Sequence, residues 1–407
     1  MRFMSVLLLL LGLAGCDTRD AAQPGANPVS DFLLRHWVRP LVAQGAPPAH
    51  FSALEASLDA RACGTCHDAQ FKDWSTSLHS RAMGPGVLGQ LLEMPPHATD
   101  EHQDCLRCHA PLKEQADSLV SALSQVRAVA SRSAEDATMA LHEQGLTCSA
   151  CHVRGHQRYG PPRKDGSAPD ATARLPHDGW TSTAAFGDSR FCASCHQFPE
   201  DGFALNSKLL ENTYEEWKAS RHGREGKTCQ SCHMPERRHL WRGVHDPEMV
   251  KSGVTIEATV PHIQPGAVRS KLTIRNTGTG HLFPTYVTPK VILEGFQEDA
   301  GGQMLEATRR GYIIARQVAP DLSAEVADTR LPPDTEAVLD YRVALEPRAV
   351  SLVFRVRVEP DAFYTELYRS LLESGAASPG KGLIKKALQE SLASQFMLYT
   401  RREKLQK

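Results

Sequence analysis

CGTCH at 63–67, CLRCH at 105–109, CSACH at 148–152, CASCH at 192–196 and CQSCH at 229–233 are five copies of one unit, Cys-x-x-Cys-His. They take up every cysteine of the chain except Cys16. The pairs Cys63/Cys66, Cys105/Cys108, Cys148/Cys151, Cys192/Cys195 and Cys229/Cys232 have the spacing that lets two thiols reach the two vinyl groups on one edge of a porphyrin. The adjoining His67, His109, His152, His196 and His233 can then swing under the ring and bind iron from the proximal side. Disulfides and zinc sites are the competing readings of such pairs, and neither calls for a His after the second Cys in all five copies. The sequence therefore implies five covalently attached c-type haems. The unit starts are evenly placed, yet the intervening segments share little, so the spacing reads as the length of chain needed to wrap each haem rather than as a solenoid repeat.

Working outward, the first sixteen residues, MRFMSVLLLLLGLAGC, carry a short positive start at Arg2, an apolar stretch from Val6 to Leu13 and small residues before Cys16. The run is shorter than the roughly 20 residues a spanning helix needs, and it reads as a lipoprotein signal peptide with Cys16 as the lipidated residue. Residues 17–30, rich in polar residues, Pro and Gly, read as a flexible tether. The expectation is an exported protein, lipid-anchored to the inner or outer membrane and facing the periplasm or the cell surface. Asp17 leans toward inner-membrane retention. Export agrees with the haem units, since c-type haem is attached outside the cytoplasm.

With 407 residues, 46 Lys plus Arg against 47 Asp plus Glu and 41% hydrophobic residues, the chain can bury a core and has no basic field for nucleic acid. Five haems add roughly 10 propionates, which favours a basic patch on a redox partner. Thirteen of the 18 His lie outside the units and are candidates for the second face of the irons. Phe71-x-x-Trp74-x-x-Ser77-x-His79 repeats as Tyr214-x-x-Trp217-x-x-Ser220-x-His222, two short helices with aromatics on one face and a His near the end. His79 and His222 lead the candidates, followed by His281 in a Gly-rich turn, His142 at the end of an expected helix Leu119–Gln144, and His239 and His245 flanking Trp241. His36, His50, His97, His102, His156, His177 and His262 have contexts that do not single them out and read mostly as solvated. Met83, Met94 and Met234 read as packing residues rather than sulfur ligands.

In order, CGTCHDAQFKDWSTSLHSRAM, CLRCHAP, GLTCSACHVRGHQRYGPP, CASCHQF and KTCQSCHMP resemble the multihaem cytochromes c related to the tetrahaem partner of hydroxylamine oxidoreductase. The resemblance covers about residues 60–250, with weaker matches at LWRGVHD and GHLFPT. It implies a largely helical domain around closely stacked haems, electron transfer between proteins, and His79 as a distal ligand. A fifth unit, a second W-x-x-S-x-H and a long C-terminal extension set this chain apart.

From Ser252 onward, β-branched runs such as VRSKLTIRN, KVILEGF and VSLVFRVRV alternate with turn residues, the pattern of a β-sandwich. FYTELYRSLLES and GLIKKALQESLASQFMLYTRREK have helical spacing, and segment 160–190 reads as a surface loop. The expected architecture is a mainly α pentahaem domain over 31–250, an all-β sandwich over 251–360 and C-terminal helices over 361–407. The expected activity is electron relay, with unidentified donor and acceptor proteins, attachment to a membrane and membership of a larger complex. The alternative is an oxidoreductase acting on a small nitrogen compound at one five-coordinate haem.

Overall fold

The structure, a computed structural model, describes residues 27–95, 97–124, 139–168 and 174–406. Its N-terminal half is a set of short helices, and the Cys-x-x-Cys-His units explain their shortness. Cysteines three apart with a His following lie on one helical face. Four units end a helix on their own histidine: Thr99–His109, Cys148–His152, Arg190–His196 and Cys229–His233. The first unit spans the end of Ala60–Gly64 and leads into Asp68–Ser75. Little apolar side-chain core sits here. The main cluster packs Met83, Leu91, Leu106, Leu119 and Leu123, which places Met83 among packing residues.

The second half is dominated by two antiparallel sheets. In one, Ala267–Asn276 pairs with Glu336–Ala344 on one side and with Val254–Ala258 and His262–Gln264 on the other. In the other the order is Arg310–Ile314, Lys290–Asp299, Ala349–Glu359, Phe396–Lys404. Alternate residues of both sheets, among them Leu272, Ile274, Val291, Leu293, Tyr341, Phe354 and Val356, fall in one buried cluster. Gly295 makes room at its centre. A Cβ there would lie 2.8 Å from Phe354 and 2.9 Å from Tyr341, two rings that meet edge to face at 6.0 Å.

Four expectations are corrected. The tether ends earlier than residue 30, because Asn27 caps a helix, Pro28–His36, through bonds to the Val29 and Ser30 amides. The expected helix Leu119–Gln144 is not one described element. Leu119–Ser124 completes the helix Lys113–Ser124, residues 125–138 lie outside the described residues, and Leu141–Gln144 is a separate 3-10 turn after an extended Ala140. Only Ala362–Glu373 and Lys381–Ala393 of the C-terminal segment are helical, and Phe396–Lys404 is a strand. Its Leu398 points into the sheet cluster, while Arg402 pairs with Glu298. Finally, segment 160–190 is not all surface, since it carries Phe186 onto His152 and buries Ala185. The signal peptide and Cys16 lie outside the described residues. Among those described, no helix is long and apolar enough to cross a membrane.

Candidate haem sites

Three of the unit histidines are held in one tautomer by backbone carbonyls. His109 Nδ1 donates to the Ala82 carbonyl at 2.6 Å, His152 Nδ1 to that of Tyr159 at 2.7 Å and His233 Nδ1 to that of Arg242 at 2.7 Å. His196 Nδ1 differs in bonding the hydroxyl of Tyr286. With Nδ1 so engaged, Nε2 carries the lone pair, the arrangement that orients and strengthens an imidazole as a metal ligand. Burial lowers the proton affinity of His109, His152, His196 and His233 and favours their neutral forms. His152 and His196 are each held down at about 4 and His79 at about 3, in every case chiefly by burial.

Four unit histidines face a second imidazole. Ring centres are 6.5 Å apart for His67 and His177, 6.2 Å for His152 and His239, 6.2 Å for His196 and His79, and 6.5 Å for His233 and His281. The last pair is nearly parallel, at 15°. These rings do not touch. A metal–nitrogen bond of about 2 Å on each side, plus the distance from nitrogen to ring centre, puts two imidazoles roughly 6 Å apart, so the gaps fit an iron between them. His79 is further fixed by Trp241 at 4.8 Å and His239 by the same indole at 5.1 Å. His239 is also set by Asp73, which accepts from its backbone N–H at 3.0 Å and from the Arg238 guanidinium at 2.6 and 2.7 Å.

The cysteines link the units. All ten described cysteines are free thiols, which leaves the disulfide reading without a pair. Among the described residues, no three His, Cys, Asp or Glu side chains gather to hold a metal ion, as a zinc site would require. Cys63 and Cys148 lie close enough to act on each other's ionisation, as do Cys108 and Cys195, and Cys192 and Cys229. Arg39 reaches Cys195 Sγ at 3.3 Å, and Cys151 lies close enough to act electrostatically on Cys192 and Cys195. The units thus touch in the sequence first, third, fourth, fifth, with the second branching from the fourth.

The ten cysteines are not equally enclosed, although the five units are alike in sequence. Cys66 and Cys232 are exposed, whereas the other eight are half-buried. Both are the second cysteine of a unit at an end of that path, the first and the fifth. Cys66 also lies just past the end of Ala60–Gly64, on the turn that leads into Asp68–Ser75, so that Cys63 turns toward the third unit and Cys66 toward solvent. Local spacing puts both thiols of a pair on one edge, and only the neighbouring units decide which of them is covered.

Of the six sequence candidates for the second face, His79, His239 and His281 stand opposite unit histidines. His142 bonds Ser118 Oγ through its Nδ1 at 2.8 Å and stands opposite no unit histidine among the described residues, and His245 Nε2 pairs with Asp361 at 2.9 Å. His222 faces no unit histidine among the described residues. Sequence does not single out His177. It sits in a turn at φ 43°, beside residues 169–173, and only long-range folding brings it to His67. Of the other histidines read as solvated, His36, His102 and His156 are buried. His36 packs on Phe32 at 4.6 Å, and its Nε2 donates to the Cys151 carbonyl at 2.8 Å.

His109 differs from the other four. Among the described residues no second imidazole is in ring contact with it. Its cysteines are near Glu211, a carboxyl pushed up to about 8 by burial, and Tyr364, a hydroxyl pushed up to about 12 by the same cause.

Residues 62–152 match the family described as cytochrome c554 and c-prime. The fold is similar to the crystal structure of a penta-heme cytochrome c552 from Thermochromatium tepidum, at a TM-score of 0.56 and 16% identity over 87% of this chain and 100% of that one. At that identity the likeness speaks for the fold. No curated protein matches the sequence. With the five units, these findings support c-type haem binding and a cytochrome c of the multihaem kind.

Proposed function

We propose that the chain is a pentahaem c-type cytochrome that relays electrons outside the cytoplasm. Ten thioethers, from Cys63 through Cys232, hold five haems, and His67, His109, His152, His196 and His233 bind the irons proximally. His177, His239, His79 and His281 supply the opposite ligand to the first, third, fourth and fifth irons. The observation that carries this reading is the set of four imidazole pairs, each separated by the width of a metal. Two imidazoles saturate an iron, favour low potential and leave electron transfer as its chemistry. The touching cysteines support a continuous path from the first haem to the fifth. A haem-wrapping α domain over 31–250 is followed by a β-sandwich over 251–360, read as a structural or docking module. Cys16 carries the lipid that holds the protein on the inner or outer membrane, and its partners are redox proteins presenting basic patches, within a larger complex.

Protein produced with intact cytochrome maturation tests this. A pyridine haemochrome assay and intact mass should give five covalent haems per chain. His79→Ala, His177→Ala, His239→Ala and His281→Ala should each turn one low-spin haem high-spin by electron paramagnetic resonance. Absence of covalent haem, or unchanged spectra in all four variants, would overturn it.

A second reading is favoured by His109 alone. We propose that its iron keeps one face open and reduces or oxidises a small nitrogen compound there, with Glu211 as the nearby buried acid. Carbon monoxide added to the ferrous protein should then shift the spectrum of one haem in five, and no shift returns that haem to relay.

A further inference from the structure

The haem region contains an internal duplication that leaves one ligand without an iron. In the first copy, Trp74 Nε1 donates to the Leu146 carbonyl at 2.8 Å, Leu146 N to that of His79 at 2.8 Å, and Ser77 Oγ to that of Trp74 at 2.7 Å. In the second, Trp217 Nε1 donates to the Lys227 carbonyl at 2.8 Å, Lys227 N to that of His222 at 3.0 Å, and Ser220 Oγ to that of Trp217 at 2.6 Å. Each copy runs from a Cys-x-x-Cys-His unit, through W-x-x-S-x-H, to Gly-x-Thr-Cys-x-x-Cys-His, at 145–152 and 226–233. Each brings the first cysteine of its two units together, Cys63 to Cys148 and Cys192 to Cys229. The second unit, 105–109, is an insertion in the first copy; only Gly223, Arg224 and Glu225 separate His222 from Gly226.

The copies are joined by a forward step, for His79 of the first reaches His196, the opening unit of the second. The same step taken from the second copy sends His222 to the opening unit of a third, and no cysteine follows Cys232. The opposite end of the array is closed, because His177 already faces His67. His222 matches His79 in detail. Its Nδ1 is buried without a partner, as is that of His79, and its Nε2 is neither buried nor hydrogen-bonded among the described residues. The fifth unit does not need it, since His233 faces His281.

We infer that His222 is an axial ligand for a c-type haem carried by a partner cytochrome whose iron has an open sixth site. Nε2 gives its lone pair to the ferric iron, the water on that iron leaves, and no electron is transferred in the step. The surroundings offer cations to the two propionates of an incoming haem. Arg221 and Lys227 lie close enough to His222 to act on it electrostatically, with Lys218 and Arg224 nearby in the chain; Glu215 pairs with Lys218, Glu225 with both Arg221 and Lys227, Asp334 with Arg221, and Arg224 bonds the Ala219 carbonyl. The ligand would also make the partner's iron the next stop beyond the fifth haem.

This inference rests on the five-haem reading, and its test separates the two. The probe is an N-acetylated haem undecapeptide cut from a monohaem cytochrome c, which keeps its own Cys-x-x-Cys-His and a water on the sixth site. Titrated into ferric holoprotein at neutral pH, the peptide should convert from high to low spin in a saturable way. His222→Ala should weaken that binding at least ten-fold, with the chain's own haem spectra unchanged, and His222→Gln serves if the alanine variant loads poorly. Arg224→Glu should weaken it several-fold with His222 in place, and His262→Ala, at an exposed histidine, should not. Equal binding by wild type and the His222 variants would overturn the inference, as would the appearance of a high-spin haem within the chain itself when His222 is replaced. Holoprotein without covalent haem would instead bring down the five-haem reading.

Discussion

Gly145 shows how much a single residue does near the fourth haem site. Its φ is +63°, and a Cβ would lie 2.4 Å from the His79 carbonyl oxygen and 2.9 Å from the Ala82 nitrogen. Only glycine meets both demands. Gly145→Ala is therefore expected to destabilise the protein by more than about 1 kcal/mol and to push His79 off its line to His196, read as a rise in high-spin haem. Asp73 plays a comparable part for His239. Asp73→Ala leaves the Arg238 guanidinium and the His239 amide without their shared acceptor, at a cost of about 1–3 kcal/mol. Denaturant melts should register that loss, and the haem opposite His239 should become partly high-spin. Asp73→Asn keeps one acceptor oxygen and should retain most of the low-spin signal.

At the scale of elements, what could be read in advance divides along the range of the forces involved. The ten cysteines and five unit histidines are legible because the proposed covalent attachment of a haem fixes their spacing within five residues. The alternation in VRSKLTIRN and VSLVFRVRV is legible for a similar reason, the two-residue period of a strand. The second face of each iron is a tertiary contact, so local spacing cannot name it. His177 lies 110 residues beyond His67 with no local pattern to mark it, whereas His222 has the same motif as His79 yet no unit histidine opposite it among the described residues. The exposure of Cys66 is tertiary in the same way, since it depends on where the third unit packs. QFMLYTRREK is ambiguous for another reason. Its apolar residues 396–399 run together without a period that separates helix from strand, and the choice falls to the open edge of Ala349–Glu359, which it completes. Truncating the buried Leu398 side chain measures what that strand adds. Leu398→Ala should cost about 2–4 kcal/mol in a denaturant melt while leaving the haem absorption spectrum unchanged, because the residue packs within the sheet cluster.

Across the whole molecule, the haem-bearing half and the sheets are stitched by one buried ionic cluster, and its chemistry sets how the assembly responds to acid. Arg316, 1% exposed, donates to the carbonyls of Leu205, Lys208 and Leu209 in the hairpin after the fourth unit and to Glu325 at 2.9 Å. Lys208 pairs with Glu325 at 2.7 Å and Asp328 at 2.6 Å, and Arg330 joins Asp328 to Glu216. Burial works to raise the Glu325 and Asp328 carboxyls, but bonds from Lys208 and Arg316 to the first and from Arg330 and Lys208 to the second outweigh it, and both titrate below the usual carboxylate range. A carboxyl whose folded pKa is depressed stabilises the fold fully above its unfolded value, near 4, and loses that contribution as pH falls through the folded value. Stability from this cluster should thus be flat from pH 7 to about 5 and decline below about 4. Glu325→Gln should lower the melting temperature at pH 7 and flatten the acid limb of the profile, since one titrating partner is gone. Arg316→Met, which strands Glu325 and the three carbonyls, should cost about 3–5 kcal/mol at pH 7. Because the cluster lies between the two halves, limited proteolysis of that variant should release the sheets from an N-terminal fragment in which one haem, deprived of His281, turns high-spin while the others stay low-spin. A variant that instead bleaches its haems as it unfolds would show that the two halves stand or fall together.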